Sequence, residues 1–313
     1  MKRTLVLGTL IGIGVLSLVV SGQAPPAAPT KAALEATKIE KVKDNLYVIT
    51  GSGAANQEAF SGGNTAVFIG AEGVTLVDTK LPNWGPTILE RVKSVTNKPV
   101  VRIINTHTHG DHTGSNSAFM GSKVESVVQE NTKTNMARMT EFMGENAKFL
   151  PNKTYKDKLT VGSGNDAIDL YFFGRGHTDG DSFVVFRGLR TMHVGDIFAW
   201  KALPYVDTMN GGSVVEQPKT LAKAVATVKN VDTIINGHIP VGTWNDLKEY
   251  AQFTADFVTY AQASLKAGKS AAQAGKEYQV DPKYKGYVAS ISPMFGAESN
   301  LQIAYDELKA AKK

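Results

Sequence analysis

The chain contains no cysteine. That absence excludes disulfide bonds, a thiol nucleophile, an iron–sulfur cluster and a cysteine-ligated zinc, so any metal must be held by histidine and carboxylate. Charge of one sign is also missing. Lys and Arg number 34 against 29 Asp and Glu, a net +5, and the basic residues are scattered rather than gathered into a stripe. Nucleic-acid binding is not expected, because it needs clustered cations. Neither an internal repeat of solenoid period nor a low-complexity tract occurs beyond the N-terminal leader. The 313 residues are 42% hydrophobic and 20% charged, with 30 Gly and 12 Pro, which excludes a mainly disordered, collagen-like or coiled-coil chain. The length fits one large layered α/β fold or two halves.

Lys2 and Arg3 precede an apolar run over residues 5–20 that ends in small residues, the plan of an export signal. Residues 1–22 read as this signal, with cleavage near 22–24. The product would be exported, periplasmic or secreted, with no stable membrane association. An uncleaved anchor is the alternative, since the run approaches the lower limit of roughly 17–25 residues for a span. No cysteine near residue 20 offers a lipoprotein acylation site. Residues 23–38, with their Pro and Ala, read as a flexible leader without the apolar content to join a core. One folded domain is expected over residues 39–313.

Short β-rich runs separated by turn residues follow, at 46–50, 65–70 and 74–78. A helix is expected over 84–95, then a strand over 100–104 that is apolar except for Arg102, the type buried on both faces in layered α/β proteins. Further strands are expected at 123–128, 167–173, 182–186, 192–194 and 233–235, with helices at 131–142, 217–228, 244–265 and 300–311.

The strongest signal is Thr106-His107-Thr108-His109-Gly110-Asp111-His112-Thr113-Gly114, three of the six histidines of the chain inside one turn at a strand end. Neutral imidazole nitrogen and anionic carboxylate oxygen suit zinc, iron or manganese. Two histidines separated by one residue can converge on one ion if the strand end stays extended, while the adjacent Asp111 and His112 must point elsewhere and can take a second. Gly110 would let the backbone change direction between them. Other candidate ligands also follow strands: His177 in Gly176-His177-Thr178-Asp179, Asp196 after Gly195, and His238 in Gly237-His238. Paired dications would deprotonate a bridging water, lowering its pKa from about 15.7 toward roughly 7, to attack a carbonyl or phosphoryl centre. Asp111 could orient that hydroxide and pass its proton to the leaving atom.

In this order the motifs resemble the metallo-β-lactamase superfamily, with its H-x-H-x-D-H signature intact from His107 to His112. The resemblance covers nearly everything after the leader. It implies a four-layer αββα sandwich with two divalent metal ions, zinc first and iron or manganese as alternatives, at one edge between the sheets. His107, His109 and His177 would hold the first ion, Asp111, His112 and His238 the second, and Asp196 would bridge them. Asp78 resembles the family's carboxylate that steadies the ligand loop. True β-lactamases carry Cys or Ser where this chain has Asp196, which instead resembles the superfamily's hydrolases of thioesters, lactones and phosphodiesters. The expectation is a dinuclear hydrolase of a small ester, lactone, thioester or β-lactam-like molecule. A phosphodiesterase, or a mononuclear iron dioxygenase of the same fold, is the alternative, and the intact His112 and His238 weigh against the dioxygenase. His109 stands where flavodiiron-type oxidoreductases have Glu.

Lys201 and Tyr205, in the loop after Asp196, are candidates to contact substrate. His193 has no place among the ligands and reads as a packed strand histidine. Residues 51–63 form a long glycine-containing loop that could flap over the metals, with Phe60 as its apolar tip. Met136, Met139 and Met143 share one helix face and read as core.

Overall fold

The computed structural model describes residues 28–51, 56–121, 123–292 and 295–311. The proposed signal lies outside them. A strand presents alternate residues to opposite faces, and β10 (Phe183–Phe186) shows the consequence, for all four of its residues are buried. Both faces of its sheet must therefore be covered. Val184 and Phe186 face a core shared with the other sheet, while Phe183 and Val185 pack into a different cluster with helices.

The first sheet has the spatial order β1 (Ile39–Lys43), β2 (Leu46–Ile49), β3 (Thr65–Ile69), β4 (Val74–Val77), β5 (Val100–Ile104), β6 (Glu125–Gln129) and β7 (Lys153–Tyr155). It is antiparallel as far as β4 and parallel from there to β7. The second runs β13 (Gly242–Thr243), β12 (Thr233–Asn236), β11 (Thr191–Gly195), β10, β9 (Ile168–Tyr171) and β8 (Lys158–Val161), with only β11 and β12 parallel. Leu46, Phe68, Val77 and Ile104 of the first sheet meet Ile168, Leu170, Val184 and Ile235 of the second in the central core.

Helices α1 (Lys31–Ala36) and α2 (Gly85–Lys93) cover the outer face of the first sheet, Ile88 and Val92 packing with Val67, Leu76 and Ile103. Two short helices, α3 (Gly110–Thr113) and α4 (Glu130–Met136), follow β5 and β6. Over the second sheet lie α5 (Gln217–Thr227), α6 (Trp244–Lys266), α7 (Ala271–Glu277) and α8 (Ala297–Ala310), which bring Leu221, Phe253, Phe257 and Leu301 onto Phe183, Met192 and Ile234. The result is the four-layer αββα sandwich. Among the described residues no helix is long and apolar enough to cross a membrane.

Two expectations fail. The flexible leader assigned to 23–38 is helical over Lys31–Ala36, because Thr30 caps the helix and Ala33 and Leu34 pack into the core beneath α2. Thr30 Oγ1 accepts from Ala33 N at 3.0 Å and donates to Glu58 O at 2.6 Å, which ties α1 to the loop carrying Phe60. We expect a chain beginning at residue 38 to be less stable than one beginning at residue 29 by about 1–2 kcal/mol, the sum of a lost cap and a little apolar burial. Thermal melting reads this as a drop of a few degrees, and identical curves would contradict it. The helix expected over 131–142 stops at Met136, and a separate 3-10 turn covers Thr140–Phe142. Met136 is fully buried, but Met143 is 49% exposed and leaves the core face.

Candidate metal centre

β5 delivers the motif. After Ile104 the chain bends over residues 106–108 and returns to an extended conformation at His109, whose φ of −64° and ψ of 146° precede the first turn of α3. The extended strand end expected here is thus a bend, which still brings His107 and His109 into one group, and the helical turn swings Asp111 and His112 into the other. His112 N and Thr113 N both donate to His109 O at 3.0 Å, which closes that turn. Gly110 is not what permits it: it lacks a positive φ, and the nearest atom to an added Cβ would be 3.9 Å away. The glycines that matter sterically are elsewhere. A Cβ on Gly63 would lie 2.1 Å from His112 Cε1, and one on Gly237 would lie 1.8 Å from Asp196 Oδ1.

The strand ends bring the seven candidate ligands into two adjacent groups. His107, His109 and His177 form one, and Asp111, His112, Asp196 and His238 the other, with the ligand atoms of each within 4.8 Å of one another. In the first, each ring is oriented through its outer nitrogen. His107 Nδ1 lies 2.9 Å from Thr106 Oγ1, His109 Nε2 lies 2.7 Å from Asp207 Oδ2, and His177 Nδ1 donates to Tyr205 O at 2.8 Å. The inner atoms His109 Nδ1 and His177 Nε2 then face each other at 2.9 Å. The two inner nitrogens thus converge on one point, as two imidazole ligands of one ion do. His107 Nε2 is buried with no hydrogen-bond partner, which costs about 1–3 kcal/mol if left unmet. These donors fit a nitrogen-ligated divalent metal.

In the second group His238 Nε2 lies 3.1 Å from Asp196 Oδ2 and 3.3 Å from Asp111 Oδ2, while His112 Nε2 lies 3.2 Å from Asp196 Oδ1. Asp196 also reaches toward the first group, with Oδ2 3.9 Å from His177 Nε2. Electrostatics divide the two groups. Burial, reinforced by neighbouring imidazoles, pushes His107 well below its ordinary pKa and His177 down to about 4. Burial also opposes charge on His112 and His238, but Asp196 and Asp111 outweigh it, and they hold His112 well above its ordinary value and His238 at about 9. Burial likewise works against the carboxylates, yet these two histidines bring Asp111 to about 2 and Asp196 well below the usual range.

Asp78, at the end of β4, is fully buried with a φ of +66°. Its Oδ1 accepts from Thr106 N at 2.8 Å, and its Oδ2 from Thr106 Oγ1 and His112 Nδ1, both at 2.7 Å. One carboxylate thus anchors the backbone of the ligand loop and orients a ring from each group, reaching His107 through Thr106.

The family model for the metallo-beta-lactamase superfamily matches residues 60–238, more than half of the chain and the whole stretch from the Phe60 loop to His238. The chain belongs to the metallo-β-lactamase superfamily. It is 24% identical over 266 residues to the metallo-beta-lactamase type 2 of Elizabethkingia meningoseptica, covering 82% of this chain and 96% of the relative. Among solved structures, the metallo-beta-lactamase from Pontibacter korlensis superposes with a TM-score of 0.59 at 20% identity, over 70% of this chain and 99% of that one. The sec-alkylsulfatase Pisa1 from Pseudomonas sp. gives 0.67 at 13% identity, over 87% of this chain and 50% of that one. These two likenesses show the fold. Within the superfamily the chain is a metal-dependent hydrolase.

The remaining candidates take varied places in this metallo-β-lactamase fold. The Tyr205 ring stacks on His109 with centroids 5.7 Å apart, beside the carbonyl that holds His177. Lys201 is engaged at 2.8 Å with Asp246 Oδ1. Phe60 stacks on the His238 ring at 5.7 Å. His193 is fully buried; its Nε2 donates to Asn64 O at 3.1 Å and its Nδ1 accepts from Gly195 N. Several contributors escaped the sequence reading. Asp207 is 98 positions from the ring it holds, so no local pattern marks it. Asp181, whose pKa burial raises to about 7, accepts from Thr178 N and Oγ1 and braces the turn bearing His177. Lys80 is wholly buried and donates to Gly63 O at 2.8 Å and Thr50 O at 2.9 Å, pinning the base of the Phe60 loop. Burial, partly offset by Asp111 and Asp78, lowers its pKa to about 7.

Proposed function

We propose that the chain is a dinuclear hydrolase of small ester, lactone, thioester or β-lactam-like bonds, and that it is exported on the strength of its N-terminal run. His107, His109 and His177 would hold one divalent ion, zinc by preference, and Asp111, His112 and His238 another, with Asp196 serving both. When bound, such a pair supplies Lewis acidity and a water acidified toward a pKa of about 7. The observation that carries the reading is the position of Asp196, whose carboxylate approaches His238 and His112 of one group and His177 of the other.

The protein's own part is to orient, hold and move protons. Asp78, Asp207 and the Tyr205 carbonyl fix the imidazoles so that one nitrogen of each faces the centre. Asp111 has the most exposed side chain of the second group, at 20% against 6% or less for the others, so its carboxylate is the one placed to take a proton from water and return it to the leaving atom. Phe60 and Tyr205 border the ligand rings and limit access of bulk water. The test is a panel of chromogenic ester, lactone, thioester and lactam substrates: hydrolysis should disappear with chelator and return with zinc. Retention of hydrolysis after complete metal removal would defeat the reading.

The two groups should differ in how protons compete with metal. At His238, with a pKa of about 9, a proton must be displaced throughout the neutral range, so affinity in the second group weakens as pH falls below about 9. His177 meets such competition only as pH approaches about 4. Dialysis at stepwise lower pH should strip the second group first, as followed by metal analysis. Simultaneous loss of both ions would contradict this difference.

A further inference from the structure

Resting on that reading and narrowing it, we propose that the substrate is an uncharged ester, lactone or thioester whose acyl side is a bulky apolar group seated against Trp200, Ile239, Ile291 and Phe295. An apolar cluster separate from the central core lies here, with Trp200 and Ala202 buried and Tyr205, Ile239, Ile291 and Phe295 packed on them. It adjoins the ligands directly. The Trp200 ring is 5.9 Å from His238, Phe295 stacks on Trp200 at 5.7 Å with an interplanar angle of 18°, and Phe295 meets Tyr205 at 5.0 Å. A cavity of about 770 Å³ elsewhere, among α5, α6 and α8, has in its lining none of the aromatic side chains that border the ligand rings.

Beside the aromatic wall, a cavity of about 510 Å³ runs along Trp200, Ile239, Val241, Val288 and Ile291, a size suited to an organic ligand. A smaller one of about 260 Å³ lies by Tyr205, Asp207, Met209 and Phe295. Four large hydrophobic side chains are exposed among the described residues, and three of them, Val241, Val288 and Met209, line these two cavities. Exposed apolar surface gathered at one place marks a contact surface.

The charge around it points the same way. Lys201 is the one cation lining either cavity among the described residues, and Asp246 holds its ammonium at 2.8 Å. The smaller cavity contributes Asp207, whose carboxylate lies 2.7 Å from His109 Nε2 and accepts from Asn210 Nδ2 at 2.6 Å. A second carboxylate or sulfate on the substrate would meet apolar surface, a paired ammonium and an anion, and would lose its hydration without a partner. A neutral acyl chain loses nothing by entering. Hydrolysis then breaks the bond from acyl carbon to oxygen or sulfur; water supplies hydroxyl to that carbon and a proton to the leaving atom, giving an acid and an alcohol or thiol.

The test has a binding arm and a turnover arm. Chelator-treated protein should bind ethyl 4-phenylbutyrate at least about tenfold more tightly than the 4-phenylbutyrate anion, read as a tryptophan fluorescence change that Trp200→Phe abolishes. In zinc-loaded protein, the ratio of kcat/KM for 4-nitrophenyl phenylacetate over 4-nitrophenyl acetate should fall about tenfold or more on Phe295→Ala, with Phe295→Leu retaining most of it. Preference for the anion, or an unchanged ratio in natively folded Phe295→Ala, overturns this inference alone. Ester binding without any turnover overturns the hydrolase reading and the ester class with it.

Discussion

Asp111→Asn protein, with both metal positions refilled, is expected to turn over at least about a hundredfold more slowly than wild type, roughly 2.7 kcal/mol or more in the barrier. The substitution keeps the volume and one oxygen but removes the charge and the basic site. In the second group, burial alone would raise the Asp111 pKa, yet His112 and His238 bring it to about 2, so it is held as the carboxylate. Its Oδ2 is 3.3 Å from His238 Nε2 and 3.6 Å from His112 Nε2, close enough that a metal there would also feel the lost charge. Excess zinc separates the two effects, because restored occupancy with slow turnover isolates the proton-handling role. Restored occupancy with near-normal turnover would refute it. His193→Gln is the control: that ring bonds to Asn64 O and Gly195 N within the sheets, so its loss should lower stability rather than turnover.

Substitution at Asp78 should act through metal binding and folding. Asp78→Asn tolerates the left-handed backbone at this position, since Asn is among the few residues that do. It places an amide where two donors now point, however. An amide NH2 opposite His112 Nδ1 forces that ring to move its proton to Nε2, the atom that faces Asp196 and His238. Affinity for the second ion should then fall about 10–100-fold, measurable by competition with a chromogenic chelator. Asp78→Ala goes further. It strands Thr106 N, Thr106 Oγ1 and His112 Nδ1 without their buried acceptor, and unfolding free energy should drop by about 3–5 kcal/mol. Wild-type metal affinity in Asp78→Asn would show that His112 is oriented by something else.

What the sequence made legible follows a physical rule. Nine strands were foreseen, and all nine are interior to their sheets. The four missed, β1, β7, β8 and β13, are the four sheet edges. Interior strands must be apolar on both faces and so announce themselves, as β10 does with four buried residues. Edges can be short and charged: β1 reads Ile-Glu-Lys-Val-Lys, and β8 begins with an exposed lysine. Such charge discourages further pairing and erases the hydrophobic signal. Helix α1 was missed for a related reason, since six residues with one buried alanine carry too little pattern to stand out from a leader.

The site was legible to the extent that its chemistry is local. Three histidines and an aspartate within six positions could be read directly, and the three more distant candidates each followed an apolar strand. The supports could not be read so. Asp207 and Lys80 work through tertiary contacts across 98 and 17 positions. Close packing of Gly63 against His112 and of Gly237 against Asp196 exists only once the sheets have met. Gly110, which the motif made conspicuous, has room for a side chain.

Metal titration of chelator-stripped protein, followed at once by metal analysis and ester turnover, tests the central claim most directly. Two zinc ions per chain should bind, hydrolysis should rise with the second, and His238→Ala should stop at one ion with turnover largely lost. Saturation of the wild-type protein at a single iron, with no hydrolysis at any loading, would contradict the dinuclear hydrolase.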